Sequence, residues 1–250
     1  MGGNTSCIAV YPNGSPVPTI VLDAGTGLRA VTGLTGGEPF RGTILLSHLH
    51  WDHVQGLPFF VAGDRPDSVV RVVLPDNGGT GVETMARAMS PPHFPIRPDE
   101  LRGRWRFDAI GEGVIEVEGV AVLAREIPHK GGRTFGYRLS TSDASVAYLP
   151  DHLPASDGPG AEAAADLARD VDVLIHGGHF TAAERAPAHA YGHATIDQAI
   201  ALAERCAVGC LYLFHHSPSR TDDLVDEIER SVADVVPPIL VAREGEEIAV

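Results

Sequence analysis

The chain has 250 residues, 44% hydrophobic and 21% charged, enough for one sizeable globular domain over 1–250 with a single core. Its formal net charge of −14 opposes phosphate backbones and anionic membrane surfaces, and its Lys and Arg are scattered, which argues against extended nucleic-acid binding or membrane association. No apolar run reaches the roughly 18 residues of a membrane span and no basic-then-apolar leader opens the chain, so a cytoplasmic protein is expected.

The opening "MGGNTS" formally fits a myristoylation pattern, with Gly2 and Ser6 in place. Short β-branched runs ending at Gly, Pro, Asp or Ser then predict strands at 19–23, 42–48, 69–73, 114–127, 134–140 and 145–151. Residues 76–110, rich in Pro and Gly around one short helical segment, read as an ordered excursion over the surface. Further strands are predicted at 172–176 and 210–215, and "EEIAV" at the end reads as a closing strand.

Helices follow at 195–207, with Thr195 and Gln198 spaced for a capping box, and at 221–232, with acidic residues in the first turn. Cys206 and Cys210, four apart in an apolar helical pattern, and Cys7 read as reduced core residues. Strands first, then strands alternating with helices, predict a layered α/β domain.

Histidines gather at the predicted strand ends: His48 ends "TILLS", His129 follows "AREIP", His176 ends "DVLI" and His215 ends "LYLF", while Asp151 ends "VAYLP". Side chains at strand C-termini converge on the edge where α/β folds bind ligands. His48 and His50, two apart in extended chain, point to one side and can grip a metal ion; Asp52 and His53, one step round a turn, can face a second. Imidazole and carboxylate donors suit Zn²⁺, with Mn²⁺ or Fe²⁺ also accepted, and two clusters in one turn predict two divalent ions. So many imidazoles in one turn repel one another on protonation and have no structural benefit without a cation.

"SHLHWDH" resembles the signature of the metallo-β-lactamase fold superfamily, in the branch that holds ribonuclease Z and cyclic phosphodiesterases. "GGNTSC", "LDAGTGLR", "MSPPHFPI", "HKGGRTFGYRL", "YLPDH", "YGHAT" and "LFHHSPSRTDD" extend the resemblance in order along nearly the whole chain. The resemblance implies a four-layered αββα sandwich whose first strand is missing ahead of residue 1, and it accounts for "MGGNTS" without lipidation. It implies that His48, His50 and His129 hold one ion, that Asp52, His53 and His215 hold the second, and that Asp151 bridges both. His216 is the alternative to His215, matching by its distance to Asp222 and Asp223.

Asp23 in "LDAGTG" resembles a buried aspartate that supports the ligands, and His176 is read as a supporting residue behind them. His193 in "YGHAT" matches a histidine that contacts the substrate phosphate and acts as general acid, and His93 is a candidate substrate contact. Gly177 stands where ribonuclease Z commonly has an acidic residue, which counts against transfer-RNA processing.

The resulting expectation is a dinuclear hydrolase of a small phosphodiester or cyclic nucleotide, with Asp52 and His193 as its catalytic residues. A water shared by the two ions is the expected nucleophile. A carboxylic ester, lactone or thioester on the same metals is the alternative. A metal-binding sensory module without catalysis is a third reading. The partner expected is a small anionic molecule, and the oligomeric state, a homodimer included, is left open.

Overall fold

A computed structural model describes residues 3–250. Gly2 and any strand preceding residue 1 lie outside the described residues. The chain forms two compact units, one of residues 4–111 and 116–120, the other of residues 112–115 and 121–250 with Gly3.

The first unit is built on a five-stranded sheet in the order β1 (Ile8–Val10), β2 (Ile20–Leu22), β3 (Arg41–Leu45), β4 (Val69–Pro75), β5 (Arg104–Ile110). β1 and β2 are antiparallel and all later neighbours parallel, so each later step needs a crossover. Helices α1 (Leu28–Leu34), α2 (Trp51–Val54) and α3 (Gly81–Ala86) lie in those crossovers. β2 is buried throughout and β3 everywhere but Arg41, which is why both read as unbroken apolar runs. Val21, Ile44, Val70 and Val72 pack with Phe40 and Phe60, whose rings meet edge to face at 5.1 Å. Burying each such side chain contributes roughly 1.5–3 kcal/mol.

A seven-stranded sheet in the order β12-β11-β10-β9-β8-β7-β6 lies in the second unit apart from residues 116, 117 and 120 of its β6–β7 end. Its strands are β6 (Gly113–Val117), β7 (Val120–Glu126), β8 (Phe135–Ser140), β9 (Ser145–Leu149), β10 (Val173–Gly177), β11 (Cys210–Phe214) and β12 (Ile239–Val241). β7, β8 and β9 run antiparallel, and β9 to β12 run parallel. Helices α4 (Gly158–Ala168), α5 (Arg185–Tyr191), α6 (Ile196–Arg205) and α7 (Asp222–Val232) fall between the parallel strands. Leu167, Ala199, Leu202, Val225 and Ile228 form one core with Leu149, Leu174, Leu211 and Leu213. The register Leu149↔His176↔Leu213 sets the C-terminal ends of β9, β10 and β11 side by side, so the residues beyond them emerge at one edge.

Several expectations change. The single run 114–127 is a hairpin, turned at Glu118 and Gly119, both at positive φ. The excursion after residue 76 ends in strand β5. "EEIAV" is not a strand; β12 closes the sheet instead, from a segment whose Pro237 and Pro238 masked its apolar pattern. Cys206 caps α6 and Cys210 opens β11, so they share no helix, and all three cysteines are free. Among the described residues no helix is long and apolar enough to cross a membrane.

Candidate metal centre

In the first unit, β3 runs into Ser47 and His48, and the chain then turns into α2 with His50 as its N-cap. Asp23 follows β2, is fully buried and adopts a left-handed conformation, φ 57°. Its Oδ1 accepts the Ser47 backbone N–H at 2.7 Å, and its Oδ2 accepts the Ser47 hydroxyl at 2.8 Å and His53 Nδ1–H at 2.7 Å. Because the Ser47 hydroxyl proton goes to Asp23, its oxygen accepts from His48 Nδ1, 3.0 Å away. This network assigns His48 and His53 the same tautomer, with the proton on Nδ1 and the lone pair on Nε2. The His48 ring lies 4.3 Å from that of His50 and 4.1 Å from that of His53. His53 Nε2 faces Asp52 Oδ2 at 3.5 Å.

In the second unit, Asp151 follows β9, is buried, and stands among three imidazoles. His129 Nε2 is 3.3 Å from its Oδ2, while His215 Nε2 and His193 Nδ1 are 3.5 and 3.8 Å from its Oδ1. His129 Nδ1 donates to the Gly192 carbonyl at 2.7 Å, which leaves a lone pair on the Nε2 that faces Asp151. Gly192 ends α5 at φ 82°, and a Cβ there would sit 2.5 Å from Lys130 N, so this position demands glycine. His215 is also left-handed, φ 55°, a conformation that persists in a bulky residue only where its surroundings enforce it.

The donors fit divalent metal ions. His53 and His129 each have Nδ1 committed to an oxygen acceptor and present an Nε2 lone pair to a carboxylate. Two acceptors facing at such distances are reconciled by a cation between them. Borderline nitrogen donors beside carboxylate suit zinc and its neighbours, and each unit carries such a cluster.

The remaining candidates sit differently. His176 is fully buried, donating Nδ1–H to the Gly177 carbonyl at 3.1 Å and receiving His152 Nδ1–H on Nε2 at 3.0 Å. Burial pulls the His176 pKa down to about 4 and that of His152 well below its ordinary value. A Cβ on Gly178 would meet the His216 ring at 3.4 Å, and burial lowers the pKa of this histidine. His93 is exposed on the loop after α3. Burial lowers His193 to about 4, against the upward pull of Asp151.

Ser47, His152 and His179 escaped the sequence reading. "SHLH" and "PDH" hold the first two in plain view, but a serine or histidine beside a candidate ligand carries no pattern of its own.

A profile described as "Beta-lactamase superfamily domain" matches residues 19–216, and the chain belongs to that family. It is a hydrolase of the metallo-β-lactamase fold, a fold that implies divalent metal binding. Among curated relatives, "Ribonuclease Z" of Geobacillus kaustophilus (strain HTA426) is 25% identical, over 94% of this chain and 89% of its own. A "New Diphosphatase from the PhnP Family" superposes with a TM-score of 0.65 at 18% identity, covering 92% of this chain and 79% of that one. Zn²⁺-bound PqqB from Methylobacterium extorquens gives 0.70 at 18% identity, covering 98% and 87%.

The expectation of no extended nucleic-acid binding is thereby corrected, since relatives spanning nearly the whole chain are named ribonucleases. Net charge summed over a molecule does not describe a local surface. By register, Arg41, Val69 and Arg104 form one row across the first sheet and Thr43, Arg71 and Arg106 the next on the same face, where Asp108 pairs with both Arg71 and Arg106. A Cβ at Gly177 would lie 2.2 Å from the Pro150 carbonyl oxygen, so packing dictates the glycine.

Proposed function

We propose that the protein is a phosphodiesterase that uses two divalent ions, zinc first among them. His48, His50 and His129 would hold one, Asp52, His53 and His215 the other, and Asp151 would serve both. The observation that carries this reading is the buried Asp151 carboxylate faced by the Nε2 atoms of His129 and His215 and by His193. When bound, such ions supply Lewis acidity to phosphoryl oxygens and acidify water.

The chain's own residues supply the rest. Asp23 and Ser47 hold the His48 and His53 rings in one tautomer. Asp52, half-buried beside His53, accepts the proton released by the attacking water. His193 is neutral near pH 7 and offers an N–H to a phosphoryl oxygen. A phosphate anion against the ring raises its proton affinity, which lets His193 protonate the leaving oxygen.

Small phosphodiesters, cyclic nucleotides among them, are the first substrates to test. RNA is the second reading, favoured by the ribonuclease names of the relatives. Zinc- and manganese-loaded protein is therefore to be assayed on a chromogenic phosphodiester, cyclic nucleotides, a precursor transfer RNA, a lactone and a thioester. Turnover of a phosphodiester that disappears on chelation and in Asp52→Ala is expected. Turnover of the lactone or thioester alone would overturn the reading.

A further inference from the structure

His179 lies two residues beyond β10, at the edge where Asp151 and His215 also emerge. Its Nδ1 is 3.4 Å from His215 Nδ1. Its ring stacks on His193 with centroids 4.9 Å apart and planes 24° from parallel. His179 therefore touches one of the three imidazoles grouped on Asp151 through a nitrogen and another through its face.

The backbone around it is held from both sides. Arg220 donates to the His179 carbonyl at 2.7 Å and to Glu184 at 3.1 Å, and Glu184 also accepts from the Thr181 backbone and hydroxyl. On the other side Phe180 forms a parallel bridge with Thr195 and accepts the Ile196 N–H at 2.8 Å, which locks this segment to the one carrying His193. Phe180 stacks on Tyr191 at 6.4 Å with planes 6° apart. A residue clamped this firmly presents one ring orientation to its neighbours.

The nitrogen geometry assigns the proton. His215 turns Nε2 to Asp151, so in the ligand form its proton sits on Nδ1, and the atom facing that proton is His179 Nδ1. His179 then accepts on Nδ1 and carries its own proton on Nε2. We propose that His179 is a positioning residue of the centre, fixing the tautomer of His215 through Nδ1 and the attitude of His193 through its ring face. The proposal rests on the assignment of His215 as a ligand and of His193 as a substrate contact. Outer partners of ligating histidines carry about 10–100-fold in metal affinity, which sets the size of the expected effect.

Two substitutions separate the two contacts. His179→Phe keeps a flat ring and loses the acceptor; His179→Asn places an oxygen near the former Nδ1 and loses the stack. Zinc affinity is read by competition with a chromophoric chelator, and kcat and KM with a chromogenic phosphodiester. His179→Phe is expected to bind one zinc about 10–100-fold more weakly, while His179→Asn keeps near-native affinity but loses kcat with KM little changed. Native zinc affinity in His179→Phe would overturn the proposal, as would equal zinc loss in both variants. His215→Ala is the control. If it retains both zinc ions, the assignment of His215 is wrong; if it loses one while His179→Phe does not, only the role of His179 is wrong.

Discussion

At the scale of single residues, the chemistry of this centre is set by what stands behind the proposed ligands. Asp23 accepts three hydrogen bonds, from the Ser47 backbone, the Ser47 hydroxyl and His53, and all of these groups are buried. Asp23→Ala leaves those donors without their acceptor, at about 1–3 kcal/mol for each buried group stranded. It also frees the tautomers of His48 and His53. A lower urea midpoint together with a roughly 10–100-fold loss of zinc affinity is expected, and a variant with native zinc affinity would show that Asp23 has no hold on the ligands. His193→Ala is expected to behave in the opposite way. General-acid catalysis contributes about 10²–10⁴-fold, so kcat should fall by at least a hundredfold while two ions remain bound by elemental analysis. Loss of an ion in that variant would move His193 from the substrate to the metal.

At the scale of elements, the turn that carries His48 to His53 is held by backbone contacts that only glycine permits. The Gly56 N–H donates to Ala24 O at 2.8 Å, the Ala24 N–H to His53 O at 2.8 Å, and a Cβ on Gly56 would sit 2.0 Å from Gly25 O. Gly56→Ala must therefore push α2 away from the loop that carries Asp23. Overpacking of this kind costs about 1–3 kcal/mol. Gly33→Ala, inside α1 with nothing within 4 Å of a new Cβ, should instead stabilise by about 0.5–1 kcal/mol. Urea midpoints of the pair measure both, and equal shifts would refute the packing argument.

The same contrast explains what was legible in the sequence. Apolar runs in β3, β10 and β11 are buried on both faces and could be read directly, as could the capping box on Thr195 and Gln198. β5 was missed because "RWRFDAI" alternates arginine with aromatic residues behind a Pro- and Gly-rich approach. α4 was missed because "GPGAEAAADLA" buries mainly alanine. At the site, the crowded motif from His48 to His53 announced itself by spacing alone. Ser47 and His179 matter through hydrogen bonds and stacking made by tertiary structure, and no local pattern encodes those.

At the scale of the whole molecule, the buried imidazoles make stability depend on acidity. His176 and His152 are hydrogen-bonded to each other and buried, with His176 lowered to about 4 and His152 well below its ordinary value, in both cases chiefly by burial. Above pH 6.5, the ordinary value, both residues are neutral whether the chain is folded or not, and they contribute no pH dependence. Below it the unfolded chain takes up protons that the folded chain refuses, so stability falls as pH drops from about 6.5 toward 4. Each residue adds a slope of up to about 1.4 kcal/mol per pH unit in that window, and His176 alone can remove roughly 3 kcal/mol across it. Urea unfolding of metal-free protein at pH 7 and pH 5 should reveal this loss. In His176→Gln the side-chain oxygen can still accept from His152 but nothing titrates, so the pH dependence should flatten by one residue's share. A slope unchanged by that substitution would place the acid sensitivity in the carboxylates instead.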